Sequence, residues 1–543
     1  MRIIACVLLA ACGAGGANDS GGFSFTDAGA GTGGCLSSNE CPVGWTCSDF
    51  GTCQPPTTPT GDGGVTPPPE TEFDLGQPIS SQRYVYVAMT AQNELARIDG
   101  RTLGVTATSV GRAPKVVAAI PGSDGAVVLD SANGTATIVR PAAGAGTVDT
   151  KKVVGTLQNL NRVDIDPTGR FAVAWFDLQQ ATITGVGSFQ DVTVIALAPG
   201  AEHAVDLTVG FRPRNVQFDS TGNHAFVVTQ DGVSAIDLAT ATAGSATIVP
   251  PLAVADPSVP PDDLEVHIVA TGAYAVVRQA GAADLRIVDM RTGVATTVAL
   301  ASPATDIDLA PDGQRVYAVE RAAKQLAIVD VPGGLAATID LSDATIGSLT
   351  LSADGKRGLL YTNATLDERI TMVKLDQPGF PHVTWPLKKS VRAVGISPDG
   401  KSAIVLHAKA PGDPTTAATV DDYIDESYGY SLVDLATGFA KLQLTPVDPG
   451  PFTYAPDGSK AYVALDGGDT VTATRALQIV TVQTGVVSTK QLGSPPSGVG
   501  ILPGTSQAFI AQRHPLGRVS FVELVTDGMR TVTGFDLNSH VVN

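Results

Sequence analysis

Residues 305–319 alternate apolar and polar side chains with a period of two, which is typical of a half-buried β-strand. The stretch TDIDL leads into APDG, and a second alternating stretch, RVYAV, follows. In such a turn proline fixes φ, aspartate accepts hydrogen bonds from the turn backbone, and glycine adopts a positive φ. The segment therefore predicts a β-hairpin with Gly313 at its turn.

The same hairpin recurs along the chain. The equivalent turn glycines are Gly169, Gly222, Gly272, Gly313, Gly355, Gly400 and Gly458. A third strand follows in many copies, as in SLVDLATG (431–438), and then a fourth, as in VATTVAL (294–300). Four short strands repeating every roughly 40–60 residues predict the blades of a β-propeller, and no helical period accompanies them.

The number of repeats predicts an unusually large ring. Nine units carry four predicted strands, and they begin near residues 112, 159, 211, 262, 302, 344, 388, 446 and 495. A tenth unit, 83–110, shows only three strands, and we expect the C-terminal SHVVN (539–543) to supply the missing one. The predicted class is all-β, with about ten four-stranded blades over 73–543. One large ring is favoured over two smaller rings because no linker-like stretch interrupts 83–537.

The repeat also resembles a known family. SPDGKSAIVL followed by YSLVDLATG is similar to the YVTN-type propeller repeat of bacterial surface and periplasmic proteins, a family related in form to the lactonase-like propellers. The resemblance covers about 83–537, although VYAV, AFVV and AYVA stand where the family has its signature letters. It implies the propeller fold and makes lactone hydrolysis an alternative activity.

The N-terminus predicts export. Arg2 precedes a short apolar run, so residues 1–11 read as a signal peptide, and the run is too short to cross a bilayer. The letters LAAC at 9–12 resemble the lipobox of bacterial lipoproteins, which implies cleavage before Cys12 and its lipidation. An ordinary signal with a chance cysteine is the alternative.

Four further cysteines lie close together at Cys35, Cys41, Cys47 and Cys53. In an exported protein they predict two disulfides with three available pairings, whereas their spacing fits zinc poorly. This module, 35–53, follows a Gly/Ala/Ser-rich tether (12–34) and precedes a Pro/Thr-rich linker (54–72), and neither tract can bury a core. It resembles small modules of some Gram-negative lipoproteins, which implies an anchor in the outer membrane, facing the periplasm or the surface.

Composition and motifs offer little chemistry. A formal net charge of −18 argues against nucleic-acid binding, and no apolar stretch after the signal is long enough for a membrane span. The seven histidines lack metal spacing, and there is no nucleophile elbow, P-loop or dinucleotide fingerprint. The repeated aspartates are interpreted as turn residues, namely Asp312, Asp354, Asp399 and Asp457. The sequence thus predicts no catalytic residue, metal or cofactor, and a protein that is not an enzyme.

One insertion breaks the repeat. Residues 408–430 extend the connection between the second and third strands of their unit, and loops that depart from a repeat often carry function. The candidate binding residues are Asp421, Asp422, Tyr423, Asp425, Glu426, Tyr428 and Tyr430. A solvated acidic loop is the alternative interpretation of the same segment.

These observations predict a lipid-anchored binding scaffold of the envelope whose partner is a protein or glycan. A lactonase-like hydrolase and a structural or assembly factor of the outer envelope are the alternatives.

Overall fold

The computed structural model describes residues 79–535 apart from 143–147, 180–187, 245–246, 257, 261–262, 343, 345 and 468–472, together with the backbone of three two-residue strands. The chain divides into two units, Met1–Pro68 and Pro69–Asn543. In the first unit β1 (Thr46–Cys47) pairs antiparallel with β2 (Cys53–Gln54), and Cys47 lies opposite Cys53. The predicted signal, Cys12, Cys35, Cys41 and both predicted tracts, apart from the backbone of Gln54, lie outside the described residues.

The second unit is a ten-bladed β-propeller, as the repeat predicts. Each blade is an antiparallel sheet whose strands follow one another in sequence order. The strands of the first five blades are β3 (Tyr84–Met89), β4 (Glu94–Asp99) and β5 (Val105–Ser109); β6 (Val116–Ala119), β7 (Ala126–Asp130), β8 (Thr135–Arg140) and β9 (Thr150–Gly155); β10 (Arg162–Ile165), β11 (Phe171–Trp175), β12 (Asp191–Ala196) and β13 (His203–Thr208); β14 (Asn215–Phe218), β15 (His224–Thr229) and β16 (Gly232–Asp237); and β17 (Leu264–Ile268), β18 (Tyr274–Gln279), β19 (Asp284–Asp289) and β20 (Ala295–Ala299).

Blades 6–10 follow the same order. Their strands are β21 (Asp306–Leu309), β22 (Arg315–Glu320), β23 (Gln325–Asp330) and β24 (Gly334–Asp340); β25 (Ser348–Leu351), β26 (Arg357–Tyr361), β27 (Arg369–Lys374) and β28 (His382–Pro386); β29 (Val391–Ile396), β30 (Ser402–His407), β31 (Tyr428–Asp434) and β32 (Ala440–Thr445); β33 (Pro449–Tyr454), β34 (Lys460–Gly467), β35 (Thr474–Thr481) and β36 (Val486–Gln491); and β37 (Pro496–Leu502), β38 (Gln507–Gln512), β39 (Arg518–Glu523), β40 (Met529–Thr533) and β41 (Val541–Val542).

The core of the propeller consists of ten apolar clusters, and each lies between two successive blades. Because both faces of a blade are covered, the second and third strands are apolar on both sides, unlike a one-sided sheet. The tenth cluster packs Phe509 and Phe521 of blade 10 against Val85 and Ile98 of blade 1. This contact closes the chain into one ring and excludes two smaller rings.

The hairpin turns define one face of the ring. All seven turn glycines have φ between 65° and 72°, which confirms the predicted turn. In an antiparallel blade the first and third turns lie at the same end, and we call this end the turn face; it carries, for example, Gly313 and Gly438. The second turn and the connection to the next blade lie at the opposite end, the loop face, which carries the insertion 408–430.

Blade 1 departs from the predicted closure. The position beside β3 that an inner strand would occupy is taken by the chain just before it, since Ser80 bridges to Val85 and Tyr86 N donates to Ile79 O at 3.0 Å. The C-terminal β41 pairs instead with β40 and adds a fifth strand to blade 10. The prediction that SHVVN completes the first unit is therefore wrong, because residues 79–80 already cover the inner edge of that unit and β41 pairs with blade 10.

In the described residues of blade 4 the predicted fourth strand is absent, and the sheet has three strands. The chain after β16 forms a short helix, α1 (Leu238–Thr242), in which the Asp237 carboxylate accepts from Thr240 N at 2.8 Å. Blade 8 has the same DLAT letters, but Gly438 follows them at once and reverses the chain. In blade 4 the first glycine after these letters, Gly244, comes four residues after Thr240, so the chain completes a helical turn before a residue with positive φ ends it.

Candidate functional site

The insertion 408–430 is an ordered structure between β30 and β31 on the loop face. The Asp413 carboxylate accepts from Thr415 N at 2.9 Å and begins a 3-10 turn, Pro414–Thr416. Helix α2 (Val420–Asp425) begins with a capping box, in which Asp422 N donates to Thr419 Oγ1 and Thr419 N donates to the Asp422 carboxylate, both at 3.0 Å. The segment therefore presents a fixed surface.

A buried lysine attaches the insertion to the ring. Lys389 lies in the connection between blades 7 and 8, is 1% exposed, and donates to Ile424 O at 2.6 Å and Asp425 O at 2.7 Å. These carbonyls end helix α2, where the helix dipole favours a positive charge. Burial lowers the pKa of Lys389, and the nearby Asp425 and Glu368 carboxylates oppose this shift. Ala410 N also donates to Asp425 O at 2.8 Å, so both ends of the insertion converge here.

The seven predicted binding residues fall into three groups. Asp421, Asp422 and Tyr423 are exposed, with Tyr423 at 48%, although the Asp422 carboxylate is engaged in the helix cap. The half-buried residues are Asp425, Glu426 and Tyr428. Tyr430 is buried in the core between blades 8 and 9, and its hydroxyl donates to Gln478 Oε1 at 2.8 Å. The prediction that Tyr430 belongs to a binding surface is therefore wrong, because its side chain is buried between two blades.

Apolar side chains accompany these carboxylates on the loop face. Val420 of the insertion and Leu366 of blade 7 are 75% and 72% exposed. A cavity of about 240 Å³ lies between the two blades and is lined by Leu366, Glu368, Ser390, Ala408, Ala410 and Asp425. We call Leu366, Glu368, Val420, Asp421, Tyr423 and Asp425 the insertion surface. The sequence did not reveal Leu366 and Glu368, because they belong to the neighbouring blade.

Polar residues of the inner strands mostly hold neighbouring blades together. The Gln217 amide of blade 4 donates to Val266 O and accepts from Ile268 N of blade 5, both at 2.8 Å. The Asp306 carboxylate of blade 6 accepts from Leu349 N of blade 7 at 2.8 Å. These side chains satisfy backbone groups at strand edges that no other strand covers.

One cluster of ionisable residues lies at a cavity near the inner strands. Glu265 accepts from His267 Nε2 at 2.7 Å and from Arg278 Nε at 2.6 Å. Burial opposes ionisation of both groups, but the hydrogen bond and opposite charges lower the pKa of Glu265 and raise that of His267. The adjacent cavity, of about 550 Å³ between blades 4 and 5, is also lined by Arg214, Asp231 and Asp256. Sequence spacing did not single out this cluster, since Arg278 lies on the next strand.

His407 is buried, and both of its ring nitrogens contact polar groups of the ring. It ends β30, its Nε2 lies 2.7 Å from Ser431 Oγ and its Nδ1 lies 3.2 Å from Ser390 O. Burial lowers its pKa to about 4, so the ring is neutral at pH 7. The second strands of other blades also end in polar residues. Each of these residues accepts a hydrogen bond from the connection that precedes its own blade, as Asp130, Glu320 and Gln512 do. His407 therefore belongs to a recurring interblade contact.

The repeated aspartates stabilise turns, as interpreted from the sequence. Each of these carboxylates accepts a hydrogen bond from the backbone N–H two residues later, with N···O distances of 2.9–3.1 Å. The aspartates are Asp312, Asp354, Asp399 and Asp457. Within the part of the chain that the structure describes, no three His, Cys, Asp or Glu residues are grouped to hold a metal ion. No helix in those described ranges is both long and apolar enough to cross a membrane.

Comparison with known proteins leaves the family open. No family model matches the chain, and no curated protein matches it. Solved structures that resemble it include a eukaryotic initiation factor, with a TM-score of 0.47 and 10% identity over 74% of this chain and 96% of that one. Another is dihydro-heme d1 dehydrogenase NirN in complex with DHE, with a TM-score of 0.40 and 17% identity over 67% and 72%.

A third is the hydrazine synthase of Kuenenia stuttgartiensis, with a TM-score of 0.32 and 17% identity over 48% of this chain and 76% of that one. At these identities the similarities concern the propeller fold alone.

Proposed function

We propose that the chain is an envelope binding scaffold whose partner contacts the insertion surface. The observation that carries this proposal is the attachment of the insertion by buried Lys389, which joins the end of helix α2 to the ring and leaves Val420, Asp421 and Tyr423 of that helix exposed. A rigid surface loses less conformational entropy on binding than a mobile loop does. Aromatic residues with a polar tip, such as Tyr423, are also enriched in protein interfaces.

Site-specific photocrosslinking tests this proposal. A photoreactive residue replaces Tyr423 on the loop face, and in the control protein it replaces Val294, an exposed residue on the turn face. We expect one distinct crosslinked partner from the native envelope with the label at 423 and not with the label at 294. Adding Asp421→Asn to the 423-labelled protein should reduce that yield. Equal crosslinking from both positions would rule out the insertion surface as the contact.

The membrane anchor is part of the same proposal. Lipidation of Cys12 rests on the LAAC motif, and buried acyl chains contribute about 0.8 kcal/mol per CH₂. The wild-type protein should partition into detergent, whereas Cys12→Ala should be exported in soluble form. If the variant partitions like the wild type, the anchor is not at Cys12. The partner's identity then separates a binding scaffold from an assembly factor of the outer envelope.

Lactone hydrolysis is the second candidate function. It is favoured by one observation, the Glu265–His267–Arg278 cluster beside a cavity of about 550 Å³. The test is lactone turnover by the purified protein and by His267→Asn, which keeps a polar side chain beside Glu265. Turnover that this substitution abolishes would replace the scaffold proposal, and an absence of turnover would leave the cluster with an interblade role.

A further inference from the structure

A groove on the turn face lies between blades 8 and 9, on the opposite face from the insertion surface. Its volume is about 640 Å³, within the roughly 300–1,000 Å³ of small-molecule sites. Two turns of each blade form its walls, over 399–402 and 434–441 in blade 8 and over 457–459 and 482–485 in blade 9. Leu432 and Val433 also line it, so the groove reaches down to the strands.

An aromatic ring stands exposed at this groove. Phe439 is 69% exposed and follows the Thr-Gly pair in the turn between β31 and β32. The equivalent residue is Val294 in blade 5 and Val486 in blade 9, so the turn does not require an aromatic side chain. The turn packs closely against blade 7, because a Cβ on Gly438 would lie only 2.2 Å from Trp385 Nε1. Phe439 is therefore an exposed aromatic residue at a turn position where blades 5 and 9 have valine.

The charges in the groove are largely engaged with one another or with backbone groups. Lys401 Nζ lies 3.3 Å from the Asp399 carboxylate, and Lys441 Nζ donates to Gly485 O. The Asp434 carboxylate accepts from Thr437 N at 2.8 Å. No single sign of charge dominates, so the groove does not favour an ion over a neutral ligand.

The other polar groups of the groove suit a ligand with many hydroxyls. Gln483 and Thr484 are exposed on the blade 9 wall. The Thr437 and Ser459 hydroxyls donate to the Asp434 and Asp457 carboxylates at 2.8 and 2.7 Å, and their oxygens can still accept a hydrogen bond from a ligand. Amide and hydroxyl groups both donate and accept hydrogen bonds, as sugar hydroxyls do. An exposed aromatic face beside them provides apolar contact area for the C–H face of a sugar ring.

We propose that this groove binds a neutral oligosaccharide, with a sugar ring packed on Phe439 and its hydroxyls bonded to the turn side chains. The site is independent of the partner contact at the insertion surface, because the two lie on opposite faces and share no residue. A protein that binds a partner on one face and a glycan on the other can connect the two in the envelope.

Isothermal titration calorimetry with soluble neutral hexasaccharides of glucose, N-acetylglucosamine or mannose tests the proposal. We expect the wild type to bind at least one, and Phe439→Val to weaken that binding about tenfold or more, which corresponds to about 1.4 kcal/mol. Valine occupies this turn position in blades 5 and 9, so the melting temperature should not change. Gln483→Ala, a second variant, should also weaken binding, and the matched control Val294→Ala should not.

Three outcomes would overturn the proposal. The first is that none of the hexasaccharides binds the wild type up to its solubility limit. The second is that Phe439→Val and Gln483→Ala both bind with wild-type affinity. The third is that a sulfated oligosaccharide of the same length binds more tightly than any neutral one, since the groove would then select charge.

Discussion

Asp166 of blade 3 occupies the space that a side chain at Gly222 of blade 4 would need. A Cβ built on Gly222 would lie 2.1 Å from Asp166 Oδ1, and Asp166 is held by hydrogen bonds from Thr168 N and Arg170 N at 2.8 and 2.7 Å. Other turn glycines meet the preceding blade in the same way, as Gly355 meets Pro311 and Gly458 meets Asp399. The turn glycine therefore serves two purposes, a positive φ and close packing of adjacent blades.

Gly122 of blade 2 has the positive φ of these turn glycines but not their close packing. Its φ is 70°, but among the described residues no atom lies within 4 Å of its Cβ position. Gly122→Ala should thus cost only the backbone strain of about 1–2 kcal/mol. Gly222→Ala should cost about 1–3 kcal/mol more, since the neighbouring turn must move. Urea unfolding of both variants measures the difference, and equal losses would contradict the packing role.

The sequence predicted the blades well because each hairpin is a local structure. Alternating side chains and a glycine in each turn specify two strands and the reversal between them over about fifteen residues, so the predicted units agree with the structure. The single ring was predicted because no linker-like stretch interrupts the repeats, and it also agrees. The sequence could not place contacts between blades, such as the Gln217 amide on β17 or the insertion surface shared with Leu366. Such contacts join residues about fifty positions apart, and no local periodicity records them.

The two wrong predictions at blades 1 and 4 have local causes as well. In blade 1 three strands suggested a missing partner strand, but the residues before β3 already cover its edge through the Ser80–Val85 bridge. In blade 4 the unit that begins near 211 was predicted to have four strands, but with Gly244 as the first glycine after DLAT the chain forms a helix instead. A single β-bridge in blade 1 and the position of a single glycine in blade 4 decide these structures, and neither changes the alternation of apolar and polar residues.

The backbone of the N-terminal unit predicts one disulfide. Cys47 and Cys53 are directly opposed in an antiparallel pair, where Cα atoms are about 4.5–5.5 Å apart, and a disulfide needs about 4.4–6.8 Å. We therefore expect Cys47 to pair with Cys53, which leaves Cys35 for Cys41. Non-reducing peptide mapping checks this. A Cys35–Cys47 peptide, or a free thiol among the four, would contradict it.

Lys389 should control the order of the insertion without controlling the stability of the ring. Lys389→Met removes two hydrogen bonds from a charged donor to the end of helix α2, each worth about 1.5–3 kcal/mol. Amide hydrogen exchange over 410–427 should therefore accelerate at least tenfold, with little change in the blade strands. The control is Lys356→Met, which alters an exposed lysine in blade 7. If exchange in 410–427 is unchanged, Lys389 does not fix the insertion.

His407 should make the free energy of unfolding fall as the pH is lowered from about 6.5, which is above the pH at which most carboxylates titrate. Its folded pKa is about 4, whereas an unfolded histidine titrates near 6.5. Below about pH 6.5 the unfolded chain binds a proton that the folded chain excludes, so stability falls as the pH is lowered toward 4. The loss approaches about 1.4 kcal/mol per pH unit within this window and stops below pH 4.

Blade 10 supplies the substitution that tests this expectation. Gln512 occupies the position of His407, donates to Ser520 Oγ at 2.7 Å and accepts from Ser494 N at 3.1 Å, where His407 contacts Ser431 and Ser390. His407→Gln should therefore retain near-wild-type stability at pH 7. At pH 5 it should exceed the wild type by about 2 kcal/mol, because glutamine does not titrate. Urea unfolding of both proteins from pH 7 to pH 4.5 measures the two curves. Parallel curves would show that His407 titrates in the folded ring as it does in the unfolded chain, and the pKa of about 4 would then be wrong.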